Sequence, residues 1–216
     1  MSTKDKIIQT SIRLFNQHGE RAITTNHIAS HMCISPGNLY YHFKNKEHII
    51  RQIFALYSEH LHTQFKPFQP NEDALQNLVG YLDSLFELMW RFHFFYDNLG
   101  DILARDEVLK KDYITFQSSL LEQVEAVLLA LRAGNVITIA DDEVTELAHM
   151  LKMTVSFWTP YVKARRLSGE LAQQDIYQGI LKVLLLLKAY CTSQSLSQVN
   201  ELRTKYQQLA SDRDTV

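Results

Sequence analysis

Residues 35–46 read Ser-Pro-Gly-Asn-Leu-Tyr-Tyr-His-Phe-Lys-Asn-Lys, and this stretch decides the fold of the chain. Ser35 can cap a helix, and Pro36 suits its first position, where a missing N–H costs nothing. A short helix starting there would bury Leu39 and Phe43, four residues apart, against the apolar-patterned segment before it. Its opposite face would be small, aromatic and hydrogen-bonding. Two short helices joined by a tight turn, the second with such a face, predict a helix-turn-helix that binds DNA.

Together with the segment before it, this stretch resembles the DNA-binding domain of the TetR family of transcriptional regulators. The resemblance covers residues 4–50, and the following positions keep the family's order and spacing: Gly19, Thr24-Thr25, Ile28-Ala29, Ile34-Ser35, Gly37-Asn38-Leu39-Tyr40-Tyr41-His42-Phe43 and Lys46-Glu47. Cys33 departs from the pattern, which usually has glycine at this turn position. Since a left-handed backbone costs a non-glycine residue about 1 kcal/mol, we expect local strain in the turn.

Charge is distributed unevenly along the 216 residues, although their net charge is only −2. Residues 1–66 contain eight Lys or Arg and four Asp or Glu, a net of +4, whereas residues 67–216 contain fourteen against twenty, a net of −6. A modestly basic first part suits a domain that meets DNA phosphates, while the acidic remainder repels them. Chance variation alone would also give an asymmetry of this size, so it counts only together with the motif.

The sequence does not indicate a metal site, a disulfide bond or a membrane span. Cys33 and Cys191 lie far apart and predict neither a disulfide nor a zinc site. His27 and His31 are four residues apart but lack further ligands, so we expect a solvated helix face, no metal and no cofactor. The N-terminus is too polar for a signal peptide, and the longest apolar run, residues 180–190, is too short to span a bilayer. These observations predict a cytoplasmic protein without a membrane partner.

Helical periodicity runs along nearly the whole chain and predicts an all-α fold of about nine or ten helices. Prolines at positions 67 and 70 interrupt it. We therefore expect a three-helix DNA-binding head at residues 1–50, the connecting part of a fourth helix at residues 51–66, and a helical body for effector binding and dimerisation at residues 67–216.

Three details of the body can be predicted from its helix-breaking and capping residues. A long aromatic helix is expected over residues 71–98, ended by Gly100. Pro160 should kink or split the helix that Asp141 or Asp142 caps. The last helix, over residues 194–210, is polar and should fray.

The resemblance also implies which residues contact DNA. Thr25 would touch a phosphate, and the start of the third helix would enter the major groove. Asn38 has the only side chain there with both a donor and an acceptor, which suits adenine, and Gly37 permits close backbone approach. Tyrosine, histidine and lysine side chains further on would contact the DNA backbone, with packing against the fourth helix as the alternative for Tyr40 and Tyr41. The predicted set is Thr25, Ser35, Pro36, Gly37, Asn38, Tyr40, Tyr41, His42 and Lys46.

A small-molecule site in the body is likewise implied by the resemblance. The consecutive residues 90–95, Trp-Arg-Phe-His-Phe-Phe, cannot all face one core from a single helix, so some should line a cavity, a domain joint or a subunit interface. For each aromatic residue taken by itself, the alternative is that its side chain fills the core. The candidate pocket residues for an apolar or aromatic effector are Trp90, Phe94, Phe95, Tyr113, Phe116, Trp158 and Tyr161.

Two late segments, residues 142–167 and 176–190, are predicted to form a homodimer. Residues 180–187 are apolar on more than one helix face, so one face can cover the body's own core while another pairs with a second copy. Helix-turn-helix proteins usually bind pseudo-palindromes as two-fold dimers, because one recognition helix reads too few base pairs. The resemblance implies the same two helices.

The sequence is therefore interpreted as a homodimeric repressor that leaves a pseudo-palindromic double-stranded operator when a small apolar or aromatic effector binds. The alternatives are an activator, or a nucleoid-associated DNA-binding protein of the same fold without a small-molecule switch. An enzyme is not expected, since the chain lacks Gly-x-Ser-x-Gly, His-Glu-x-x-His and paired-cysteine signatures. A purely structural dimer would leave residues 35–46 unexplained.

Overall fold

The structure, a computed structural model, describes residues 1–69, 72–167 and 170–211. These residues form ten α-helices and no β-strand, which confirms the all-α prediction. The helices are α1 Thr3–His18, α2 Thr25–His31, α3 Pro36–His42, α4 Lys46–Gln64, α5 Ala74–Arg91, α6 His93–Arg105, α7 Glu107–Ala133, α8 Asp141–Ala164, α9 Gln173–Lys188 and α10 Leu196–Ser211.

The chain divides into two compact units, which we name the head unit and the body unit. The head unit comprises Met1–His60 and Arg91–Ile114, and the body unit comprises Leu61–Trp90 and Thr115–Val216. The head unit thus contains α6 in addition to the predicted DNA-binding helices.

Asn16 on α1 attaches the start of α6 within the head unit. Its amide nitrogen donates to the Arg91 carbonyl at 2.8 Å, and its amide oxygen accepts the Phe94 N–H at 3.0 Å. The Phe94 ring also packs on Phe15 of α1, with 5.2 Å between the ring centroids. Two hydrogen bonds and an aromatic contact therefore hold Arg91 and the start of α6 on α1.

Local capping residues set the ends of the first four helices, and they include the Ser35 cap that the sequence predicts. Gly19 ends α1 with φ 80°, a conformation that favours glycine. Thr24 caps α2 by accepting an amide three residues on at 3.2 Å. Ser35 does the same for α3 at 3.2 Å, ahead of Pro36 at the first helical position, and Asn45 caps α4 at 2.9 Å.

The predicted single helix over residues 71–98 is wrong. The chain leaves helical geometry at Phe92, with φ −117° and ψ 24°, so α5 and α6 are separate, and Gly100 lies inside α6. Phe92, Phe94 and Phe95 are only 1%, 1% and 2% exposed. Residues 90–95 could not all face one core from a single helix. The break at Phe92 lets these consecutive aromatic side chains be buried without sharing one helix face.

Of the kink or split predicted at Pro160, the split is wrong, because α8 runs unbroken from Asp141 to Ala164 with Pro160 inside it, and the kink stays a prediction. A proline removes only one intrahelical hydrogen bond, and this one lies close to the end of the helix. The N-cap of α8 is Ala140 rather than Asp141 or Asp142, and the Glu143 carboxylate accepts the Ala140 N–H at 3.3 Å.

Apolar side chains from α5, α7, α8, α9 and α10 form the core of the body unit. Tyr206 anchors α10 in it, since its ring is fully buried and its hydroxyl donates to Asp83 Oδ1 at 2.6 Å. Burial, followed by this bond and the charge of Asp83, raises the pKa of Tyr206. The helix that the sequence predicts to fray therefore contributes Val199 and Tyr206 to the core of the body unit.

One helix among the described residues, α7, is long and apolar enough to cross a membrane by length and composition. A core helix of a soluble domain has the same properties, so a single such helix is weak evidence of a span. On α7 the side chains of Phe116, Leu128 and Leu131 are buried.

Candidate nucleic-acid interface

Helices α2 and α3 form a helix-turn-helix within the head unit. Each has seven residues, and four residues join them. Ile28 on α2 and Leu39 on α3 are completely buried, as is Phe43 directly after α3. Cys33 in the turn has φ 54°, the left-handed conformation that the sequence analysis expects to be strained there.

The outer face of α3 is exposed and carries polar and aromatic groups. Tyr41 is 85% exposed, and its ring meets the half-buried His42 edge-on with 5.1 Å between centroids. The predicted base-reading residue Asn38 is exposed, although its backbone N–H is used by the Ser35 cap. The exposed members of the predicted set are Ser35, Pro36, Gly37, Asn38, Tyr40 and Tyr41.

Tyr40 and Thr25 act as a pair. The Tyr40 hydroxyl lies 3.1 Å from Thr25 Oγ1, although the two residues belong to different helices. Tyr40 is 48% exposed. Two predicted phosphate contacts are thus brought together by a contact between α2 and α3.

Cations surround the end of α3 and the start of α4. Partial burial lowers the pKa of His48, and the charges of Lys4, Arg51 and Lys44 lower it further. The ammonium of Lys4 also lies 5.9 Å from the centre of the Phe43 ring. Lys44 is exposed two residues after α3, and it is not among the residues predicted to contact DNA. Its place in the sequence, two residues after the end of α3, is the signal by which it could have been predicted as a DNA contact.

Lys46 requires a correction, because its ammonium is engaged inside the head unit. It donates to the carbonyl oxygens of Glu20 at 2.9 Å and Ile23 at 3.0 Å. It also lies 2.8 Å from Glu20 Oε1, an ion-pair distance without hydrogen-bond alignment. An ammonium has three donors, and three oxygens surround this one, so the predicted phosphate contact does not fit its geometry here.

Three of the predicted pocket residues, Phe94, Phe95 and Tyr113, lie in the head unit. The Phe95 ring is 5.8 Å from Phe54 and 6.4 Å from Tyr113, measured between centroids. Beside them the Tyr57 and Tyr96 hydroxyls are 3.1 Å apart. Burial raises the pKa of both tyrosines, so both hydroxyls remain protonated at neutral pH. The result is an aromatic cluster with one polar pair inside it.

The other four predicted pocket residues, Trp90, Phe116, Trp158 and Tyr161, lie in the body unit. The Trp158 indole donates to the Asp175 carbonyl at 2.6 Å and lies against Gly179 of α9. A Cβ at Gly179 would be 2.6 Å from the indole, so glycine is what permits this close approach. Tyr161 is 51% exposed. These contacts favour packing for Trp158 and a surface position for Tyr161, and pocket lining stays a prediction.

An apolar stripe runs along the outside of α8. Four side chains at three- and four-residue spacing are exposed by 44%, 51%, 68% and 51%: Met150, Met153, Phe157 and Tyr161. On α9, Ile180 and Leu184 are fully buried whereas Leu185 is 54% exposed. Both predicted dimerisation segments thus have one face in the body core and apolar side chains at the surface.

Sequence comparison finds relatives for both parts of the chain. Residues 7–53 match the family described as bacterial regulatory proteins, tetR family, and residues 56–199 match the family described as bacterial transcriptional repressor. A TetR-family transcriptional regulator of known structure from Marinobacter aquaeolei VT8 is 35% identical, with a TM-score of 0.80. That match covers 95% of this chain and 99% of the other.

More distant relatives match over shorter stretches or by fold. The HTH-type transcriptional regulator QacR of Staphylococcus aureus is 39% identical over 69 residues, which are 32% of this chain and 37% of QacR. SmeT, the repressor of the Stenotrophomonas maltophilia multidrug efflux pump SmeDEF, has a TM-score of 0.60 at 18% identity, covering 89% of this chain and 92% of SmeT. It has also been solved as a complex with triclosan. At that identity the likeness shows the fold alone.

Proposed function

Because the chain belongs to the tetR family of bacterial regulatory proteins, we propose that it is a homodimeric repressor that a small effector releases from its operator. Members of this family are DNA-binding transcription regulators and not enzymes. The observation that carries the proposal is the exposed face of α3, where Asn38 and Tyr41 project from a helix that buries Leu39.

The DNA contacts that we propose follow from exposure and hydrogen-bonding capacity. Asn38 reads a base edge in the major groove, and Gly37 lets the backbone come close to it. Thr25, Tyr40, Tyr41 and His42 contact phosphates, while Ser35 and Pro36 open the end of α3 that enters the major groove. The exposed cation Lys44 takes the place of Lys46 as the lysine that meets the DNA backbone.

Dimerisation through α8 and α9 is supported by the apolar stripe from Met150 to Tyr161. A soluble monomer rarely exposes a contiguous apolar surface without a partner for it. A two-fold pairing would cover this stripe with its own copy and provide two α3 helices for two half-sites.

The effector that we propose is apolar or aromatic. Support comes from the aromatic cluster of Phe54, Phe95 and Tyr113, and the buried hydroxyl pair beside it offers a polar contact. SmeT, a fold relative, has been solved with triclosan. An effector that binds a conformation unable to hold DNA would shift the protein away from its operator. Such a regulator would act in the cytoplasm.

The test uses duplexes from the DNA that flanks the gene, labelled for fluorescence anisotropy. The proposal expects binding to a duplex with an inverted repeat, loss of that binding on adding triclosan or another apolar aromatic compound, and a higher melting temperature with the same compound. An activator or a nucleoid-associated protein of this fold would bind DNA without release by any such compound.

A further inference from the structure

A completely buried carboxylate lies beside the loop that precedes α2. Glu20 is 0% exposed, and its Oε2 accepts from Arg105 Nη2 at 2.6 Å, while Lys46 Nζ lies 2.8 Å from its Oε1. Lys46 begins α4 and Arg105 ends α6, so three segments of the head unit meet at this carboxylate. Neither Glu20 nor Arg105 stands out in the sequence.

Apolar side chains of similar volume in place of these charged groups would stabilise the fold equally well. Buried charges lose solvation free energy, and their mutual attraction offsets only part of that loss. An ionic network instead restricts the relative positions of its groups, because charge-assisted hydrogen bonds have preferred lengths and directions. The three groups therefore fix the relative positions of the loop, α4 and α6 more narrowly than apolar packing does.

The loop that the network holds leads directly to a proposed DNA contact. Lys46 binds the carbonyls of Glu20 and Ile23, which are the first and last residues of the segment before Thr24. Thr24 caps α2, and the next residue is Thr25, whose hydroxyl is paired with Tyr40. A displacement of the loop would therefore move a member of this pair.

We propose that Glu20 is a positioning residue for DNA binding, which acts through Lys46 and Arg105 to hold the Thr25–Tyr40 pair in place relative to α4 and α6. The proposal rests on the proposed contact of this pair with DNA. It assigns Lys46 an internal role, and it makes the geometry of the DNA-binding surface depend on where α6 holds Arg105.

A second ion pair between the same loop and α6 provides a matched control. Arg21 Nε donates to Asp101 Oδ2 at 2.6 Å, but the side chains are 72% and 33% exposed. Asp101 also lies 3.7 Å from Arg105, so it belongs to the outer edge of the network. Exposed pairs contribute little because water and salt screen them.

The experiment compares Arg105→Met, Arg105→Lys and Asp101→Asn, with a duplex that the wild-type protein selects from a random-sequence pool. Arg105→Met leaves the Glu20–Lys46 pair in place, so the variant is expected to fold. We expect its affinity to fall about tenfold, with substantial recovery in Arg105→Lys and less than about a twofold change in Asp101→Asn. Circular dichroism melts show whether each variant is fully folded at the assay temperature.

Salt dependence separates positioning from direct phosphate contact. Arg105→Met and Lys46→Met should both bind more weakly with the wild-type slope of log affinity against log salt, because neither removes a phosphate contact. A slope that falls by about 0.9 in Lys46→Met would make Lys46 a phosphate contact and overturn its internal role.

Wild-type affinity in Arg105→Met, or a loss explained by its unfolded fraction, would overturn the positioning role alone. A wild-type protein that enriches no sequence would instead remove the DNA-binding function on which the role depends.

Discussion

Two surfaces of the molecule expose aromatic rings, and they differ in what surrounds those rings. On α3, Tyr41 is 85% exposed and stands beside the exposed Asn38, with Lys44 following the helix. On α8, Phe157 is 68% exposed and stands between Met153 and Tyr161, in a stripe that is apolar along its length.

The difference separates two kinds of partner. DNA is recognised by hydrogen bonds to phosphates and base edges and by cations, all of which the α3 surface and its surroundings supply. The α8 stripe has few such groups and suits an apolar partner, which for a two-fold protein is its own copy. An exposed ring therefore does not identify a partner by itself, whereas its neighbours do.

The largest effect is expected at Trp158, the neighbour of Phe157 on the inner side of α8. Trp158→Ala should lower the free energy of unfolding by about 3–5 kcal/mol, because it removes a ring that packs on Gly179 and donates to Asp175. Phe157→Ala should change the stability of the monomer by less than about 1 kcal/mol. Urea denaturation measures both, and equal losses would show that the two faces of α8 are not distinct.

A large effect on assembly is expected from Phe157→Glu. A charge in the middle of the apolar stripe should raise the dimer dissociation constant about a hundredfold and weaken operator binding with it. Val108→Glu is the matched control, because Val108 is an exposed apolar residue, 52% exposed, that belongs to the head unit and is not a member of the stripe. Sedimentation equilibrium is the measurement, and a Phe157→Glu protein as dimeric as the control would remove the role proposed for α8.

On the α3 surface, Asn38→Ala should weaken binding to the selected operator by about 1–3 kcal/mol and relax the base preference at one position in each half-site. Thr25→Ala is the comparison, since loss of a phosphate contact should weaken binding to all sequences alike. Competition with single-base operator variants reads out both. An Asn38→Ala protein that keeps the wild-type base preference would show that another side chain reads the bases.

The smallest effect concerns the turn that joins α2 and α3. Cys33→Gly should raise the free energy of unfolding by about 0.5–1 kcal/mol, because glycine adopts φ 54° without strain but gives the unfolded chain more freedom. Operator affinity should stay within about twofold, since Cys33 is not among the proposed contacts. A lower stability in thermal melts would mean that the Cys33 side chain makes contacts worth more than the strain.

Local signals made the helix-turn-helix predictable. The cap at Ser35, the proline at the start of α3 and the left-handed turn at Cys33 each depend on a few neighbouring residues, and each appears in the structure as the sequence predicts. The exposed face of α3 follows from them, because Leu39 and Phe43 fix which side of the helix is buried.

Features that depend on distant partners were not predictable in the same way. The sequence predicts a phosphate contact for Lys46. In the structure its ammonium instead contacts Glu20, a buried residue 26 positions earlier in the chain. The close packing of Trp158 also depends on Gly179 of the next helix, which leaves room for its indole. The break at Phe92 likewise depends on α1, where Asn16 binds the backbone on both sides of it.

The most direct test of a two-fold repressor with α3 as its reading surface is the DNA that the protein selects. Wild-type protein should enrich, from random duplexes, an inverted repeat whose half-sites are about one helical turn apart or a multiple of it. Sedimentation should then find an even number of chains on each duplex. Enrichment of a single unrepeated site bound by one chain would contradict the two-fold arrangement.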